Sequence, residues 1–201
     1  MPNKKACQYF IVIMFSCALF FACTPGLEDI TGDCGNAPIV VPTLPAFIPD
    51  EFEFDPDTGL HRTGQPQSID PANYTLKITG LVDNPLTLTY EEIRCMPRVT
   101  SEATLVCPFT FEDKAVWTGV PLEYILKLAG VQRGADNLRL IGADGFFANV
   151  SLEEAKKPDS FLAYEWEGQP LPIMHGFPLR GVFPDLYGSQ WVKWLVEIEV
   201  Q

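Results

Sequence analysis

Cys107 is the residue of this sequence best placed to do chemistry. It follows Ala103–Val106, which reads as a β-strand; a strand end would fix the sulfur and leave the loop side open. A thiolate suits a soft metal centre better than a carboxylate does, and coordination itself drives the deprotonation. The same side chain could instead be buried, or joined to Cys95 in a disulfide. Arg180 and Lys193 are cations in an acidic chain. They suit an anionic ligand, which Arg grips through its planar fork, or surface ion pairs. His175 beside Gly176, and more weakly His61, could hydrogen-bond a ligand as neutral imidazoles or be satisfied loop histidines. With two histidines in the chain, a multi-histidine zinc site is not expected. Glu112 and Asp113 are expected to be solvated loop acids. Tyr187, Trp117, Trp191 and Trp194 are expected to pack. Gly119, Gly176 and Gly188 could let backbone approach a flat ligand or simply turn the chain. No Gly-rich phosphate loop follows a strand, no Gly-x-Ser-x-Gly elbow is present, and no haem or iron–sulfur cysteine spacing occurs.

The elements that must position these residues begin after an export segment. Lys4 and Lys5 precede an apolar run, Tyr9 to Phe21, too short to span a bilayer at about 20 residues and suited to a signal peptide. Ala22-Cys23 resembles a bacterial lipoprotein cleavage box, so residues 1–22 are expected to be removed and Cys23 lipidated. The expectation is a protein anchored to the outer face of a bacterial membrane, periplasmic or at the cell surface. Cys34, Cys95 and Cys107 then remain, an odd set, so at least one thiol is unpaired or used chemically. The net charge is −12, and the export segment is cationic, so the mature chain is still more acidic and nucleic acid is excluded as a partner.

Residues 23–68 are rich in Pro, Gly and Asp and read as a tether and extended arm. Val40, Val41, Phe47, Phe52 and Phe54 are candidates to dock it. A domain over residues 69–201 follows. Strands are expected at Tyr74–Gly80, Leu86–Leu88, Ala103–Val106, Leu138–Ile141, Phe146–Val150, Phe161–Trp166 and Trp191–Val200. Thr89 with Glu92 and Ser151 with Glu154 are capping boxes that open short helices. Pro121 opens a third helix, which Gly130 ends. Short strands with scattered helices and no βαβ rhythm give an α+β fold with mixed, mainly antiparallel sheets.

The order of these pieces resembles the molybdopterin domain of the sulfite oxidase family. The resemblance rests on Tyr74-Thr-Leu-Lys-Ile-Thr-Gly-Leu-Val82, Pro85–Tyr90, Thr104-Leu-Val-Cys107, Trp117–Leu122, Gly168–Leu171, His175–Arg180, Tyr187-Gly188 and Lys193-Trp194. It covers about residues 70–200. It implies a molybdenum–molybdopterin cofactor with Cys107 as metal ligand. It also implies cofactor contacts from His61, His175, Arg180, Gly188, Ser189 and Lys193. The activity implied is a two-electron oxidoreductase with a small-molecule substrate and a separate electron-transfer partner. Three departures are visible. Pro108-Phe109-Thr110-Phe111 follows the cysteine where a polar or basic segment is usual, Gln190 stands where Arg or Lys is common, and the N-terminal cofactor motif is reduced to His61-Arg62. The extra dimerisation domain of sulfite oxidases does not follow Gln201, so sulfite is not the expected substrate. Two rival readings remain: a non-catalytic binding lipoprotein with the cofactor site lost, and a thiol redox protein using Cys95 and Cys107.

Overall fold

A computed structural model describes residues 38–201. The export segment, Cys23 and Cys34 lie outside the described residues. Alternating burial builds the first sheet. In β3 (Thr75–Gly80) Leu76 and Ile78 are buried while Lys77 is exposed. It pairs antiparallel with β4 (Leu86–Thr89) and parallel with β12 (Leu195–Val200). β12 continues antiparallel to β7 (Asn137–Gly142), and β7 to β8 (Phe147–Ser151). The second sheet is built on a long hairpin, β5 (Val99–Cys107) and β6 (Phe111–Pro121). β6 also pairs with β9 (Phe161–Trp166), which carries β10 (Gln169–Pro170) and β11 (Arg180–Val182). The α+β class with mixed, mainly antiparallel sheets is therefore observed.

The helices follow their local signals. Before α1 (Tyr90–Arg94) the Thr89 and Glu92 side chains each accept the other's backbone N–H. In α2 (Leu122–Ala129) Leu122, Ile125, Leu126 and Ala129 fall on one face and are buried, and Gly130 ends the helix at φ 68°. At α3 (Leu152–Ala155) only half of the expected box forms. Ser151 accepts from the Glu154 N–H, but the Glu154 carboxylate turns to Lys157 at 2.7 Å.

Three expectations need correction. The hairpin return β6 was not expected as a strand, because Glu112 and Asp113 read as loop acids; its exposed face tolerates charge while Asp113, Ala115 and Trp117 turn inward. The last strand starts at Leu195 rather than Trp191, because Trp194 sits at φ 50° and Trp191–Trp194 bend to line a cavity. Val40, Val41, Phe47, Phe52 and Phe54 do not dock the arm; all are exposed. Ile39, buried Asp55, Leu60 and Arg62 hold it, with a small hairpin of β1 (Phe54–Asp55) and β2 (Leu60–His61).

Candidate active site

One cavity of about 340 Å³ gathers all seven sequence-predicted contact residues among the described residues: Cys107, His61, His175, Arg180, Gly188, Ser189 and Lys193. That volume suits a small organic ligand. Strand parity explains much of its wall. Cys107 pairs with Phe111 and Leu105 with Asp113, so these four side chains project to one face of the β5–β6 hairpin, and Trp117 follows on the same face. The Cys107 thiol is free and half-buried. Cys95 is in a disulfide, so the Cys95–Cys107 pair required for a thiol redox protein does not form.

Opposite elements complete the cavity. The turn Gly188–Gln190 is brought to β5 by a bridge between Val106 and Tyr187. A side chain at Gly188 would put a Cβ 2.5 Å from Leu105 Cδ2, so glycine allows that approach without displacing the Leu105 side chain. Gly176 at φ 114° lets the Ile173–His175 turn abut Arg180 and Lys193, whose atoms lie 3.0 and 3.2 Å from where a Cβ would stand. Gly119 instead lies against Leu162 O of β9, so it serves strand packing rather than ligand approach.

Both histidines are oriented by carboxylates that the sequence did not single out for this role. His175 is 2 % exposed; its Nε2 lies 3.0 Å from Asp55 Oδ2 and 2.9 Å from Thr58 Oγ1. The Thr58 hydroxyl itself donates to Asp55 at 2.7 Å, and a carboxylate only accepts, so Nε2 carries the proton and Nδ1 the lone pair. Burial pushes His175 down to about 4; the Asp55 hydrogen bond opposes this, and Lys193 and Arg180 add to it. At neutral pH the ring is uncharged. Asp113 is buried, against expectation. It accepts from the His61 backbone N–H at 2.8 Å and lies 2.7 Å from Nδ1. The His61 ring also lies flat on Phe111 at 4.3 Å. Sequence parity with Leu105 and Trp117 was the signal that could have found Asp113.

Neither cation has a matching carboxylate in contact; Arg180 is buried and Lys193 half-buried. Arg180 is 3 % exposed, with its guanidinium 4.7 Å from the Trp117 ring centre and 5.7 Å from that of Trp191. Nη1 donates to His175 O at 3.0 Å, but Nε has no hydrogen-bond partner; Arg62 Nε, also buried, has none either. Burial holds Arg180 down at about 10, with Asp113 opposing. Lys193 donates to the carbonyls of Thr63 and Met174. Burial pushes its ammonium well below the usual lysine range, and Arg180 and Arg62 push it further, while Asp144 and Glu51 oppose. Trp117, Trp191 and Trp194 do pack as expected, yet all three also line this cavity; Tyr187, also expected to pack, is exposed, because it enters the turn that bridges to β5 at Val106.

Residues 62–201 match the family described as "Oxidoreductase molybdopterin binding domain". The chain belongs to the molybdopterin-binding oxidoreductases. It is 37% identical over 141 residues to the uncharacterized oxidoreductase YuiH of Bacillus subtilis, covering 70% of this chain and 71% of that protein. It is 31% identical to the sulfite oxidase of Arabidopsis thaliana, over 64% of this chain and 42% of that one. The sulfane dehydrogenase SoxCD from Paracoccus pantotrophus superposes with a TM-score of 0.65 at 28% identity, over 70% of this chain and 41% of that one. The chain thus spans less than half of the latter two.

The cofactor of this family is molybdenum–molybdopterin, and the residues present fit such a group. Among the described residues no three His, Cys, Asp or Glu side chains cluster as a metal site, so a metal at Cys107 must bring its other ligands, as a pterin dithiolene does. The unpartnered Arg180 Nε, in the cavity lining, and the crowding of cations around Lys193 favour an anion, as a pterin phosphate supplies. The tryptophans give the flat apolar walls that a fused ring needs.

Proposed function

We propose that this protein is an exported, lipid-anchored oxidoreductase with Cys107 as the protein ligand to molybdenum. The observation that carries the reading is a free thiol on the wall of the cavity that also holds buried Arg180 and half-buried Lys193. When bound, the cofactor supplies two-electron chemistry that moves an oxygen atom or an electron pair. The chain's own residues hold and orient it. β5 fixes Cys107 at its end. Arg180 and Lys193 bind the anionic end, each preset by carbonyls or tryptophan faces. Neutral His175 offers Nδ1 as an acceptor for a ring N–H, its tautomer set by Asp55. Trp117 and Trp191 exclude water around Arg180, which strengthens its hold on an anion.

Electrons must pass to or from a separate redox protein or carrier, since the sequence has no haem or iron–sulfur spacing of its own. Among the described residues no helix is long and apolar enough to cross a membrane. Attachment is assigned to lipid on Cys23. Metal analysis of protein made in a cofactor-competent host tests the reading: about one molybdenum per chain is expected, lost in Cys107→Ser with the fold intact by circular dichroism. Wild-type protein without molybdenum would overturn it. Membrane fractionation of Cys23→Ala tests the anchor, which is wrong if the variant stays membrane-bound at full yield.

A further inference from the structure

The cavity has two chemically different ends. Its inner part holds the cations, buried Arg180 and half-buried Lys193. Its solvent side is formed by the lining residues that are exposed: Glu51, Phe52, Asp144, Phe146 and Ser189. None of these is basic. Both carboxylates are held in place by backbone donors. Glu51 Oε1 accepts from Gly64 N at 3.3 Å and Asp144 Oδ1 from Phe146 N at 3.1 Å. They stand beside the same residue, since a Cβ at Gly64 would lie 3.7 Å from Asp144 Oδ2. Both favour the charged form of Lys193, and their negative charge counters its field. The positive field of the inner part is thus countered at the entrance, in a chain whose net charge is already −12.

The aromatic part of the mouth is held there at a conformational cost. Phe52 is half exposed at φ 67°, a region that side-chain-bearing residues rarely adopt, and its N–H donates to Arg62 O at 2.8 Å. Phe146 is also about half exposed, and Phe111 forms the wall beside Cys107. Two residues beyond Cys107, Phe109 is fully exposed at φ 64°. A strained, solvent-facing Phe beside a cavity points to a ligand surface more than to packing.

We infer that this mouth selects an uncharged organic substrate with an apolar arm and turns small inorganic oxyanions away. The inference rests on the molybdenum reading above: the cations hold the cofactor, so the substrate meets what remains, two carboxylates and a set of phenylalanines. The relatives whose names state their substrates as sulfite or nitrate act on anions; here the exposed lining residues offer such an anion no cation.

The test is calorimetric binding to holoprotein whose molybdenum content has been measured. The probes are pyridine N-oxide, its 4-carboxylate and nitrate. The first two share ring and N–O group and differ in charge. The carboxylate is expected to bind about tenfold more weakly than its parent, and nitrate more weakly still. In the double variant Glu51→Gln/Asp144→Asn the gap should close to within about threefold. Phe52→Ala/Phe146→Ala should weaken pyridine N-oxide about fivefold and leave nitrate unchanged. Molybdenum-loaded wild type that binds nitrate or the carboxylate as tightly as the parent overturns the inference alone. So does failure of pyridine N-oxide to bind, a gap unchanged in the charge variant, or indifference to loss of both phenylalanines. Protein without molybdenum overturns the proposed function, and this inference with it; the metal analysis separates the two failures.

Discussion

His175 sets a measurable acid sensitivity. In the fold, burial pushes its imidazole down to about 4 from an ordinary 6.5, with the Asp55 hydrogen bond opposing and Lys193 and Arg180 reinforcing. The unfolded chain therefore takes up a proton as pH falls through 6.5, while the folded chain does not until about 4. Stability is full above the unfolded value and is lost between the two. From about pH 7 to about pH 4.5 the loss from this one residue comes to about 2 kcal/mol. Asp55 does not confuse the window. Burial raises its carboxyl, but hydrogen bonds from Thr58, His175 and the Asp57 N–H outweigh this and hold it below 3.8, so its contribution is lost only at lower pH. The perturbation is His175→Gln, which keeps a donor for Asp55 and cannot be protonated. Urea unfolding of cofactor-free protein at the two pH values should show the variant losing about 2 kcal/mol less than wild type, or roughly 4–8 °C less in Tm. Equal losses in the two proteins would refute burial as the cause of the neutral ring.

Three further outcomes follow from the same geometry. Asp113→Ala strands the His61 N–H and Nδ1, which it meets at 2.8 and 2.7 Å, and should cost about 2–4 kcal/mol by urea unfolding; Asp113→Asn, which retains an acceptor, should recover part of that. Arg180→Met fills the space between Trp117 and Trp191 without a buried charge. The cofactor-free protein should be no less stable, whereas molybdenum retained after dialysis should fall about tenfold. Gly119→Ala would place a Cβ 2.0 Å from Leu162 O and part β6 from β9; a loss of about 3 kcal/mol or more is expected in thermal unfolding, and an unchanged Tm would contradict the pairing.

Which parts were legible in the sequence follows from the range of the forces involved. Thr89 and Glu92 cap a helix three residues apart, and Leu76 and Ile78 share a face because strands alternate, so neighbours alone specify them. The position of Cys107 at a strand end was legible for the same reason, whereas its role as a metal ligand is what the family resemblance implies. β6 was not legible, because Glu112 and Asp113 read as solvated loop acids until β5 pairs with them and turns Asp113 inward. The carboxylates that orient the histidines lie still further off. Asp55 reaches His175 across 120 positions and Asp113 reaches His61 across 52, and each pair acquires meaning only when an arm rich in Pro and Asp folds over the sheet. The arm's own hydrophobics misled for a physical reason. Exposed Phe52 and Phe54 resemble docking residues by type, yet buried Asp55 with His175, and His61 with Asp113, make the attachment, through partners that sequence hydrophobicity does not score. A polar contact can hold an arm in place because burial raises the cost of leaving either partner unpaired. The cavity is thus assembled from one wall that local pattern specifies and one that long-range polar pairing completes.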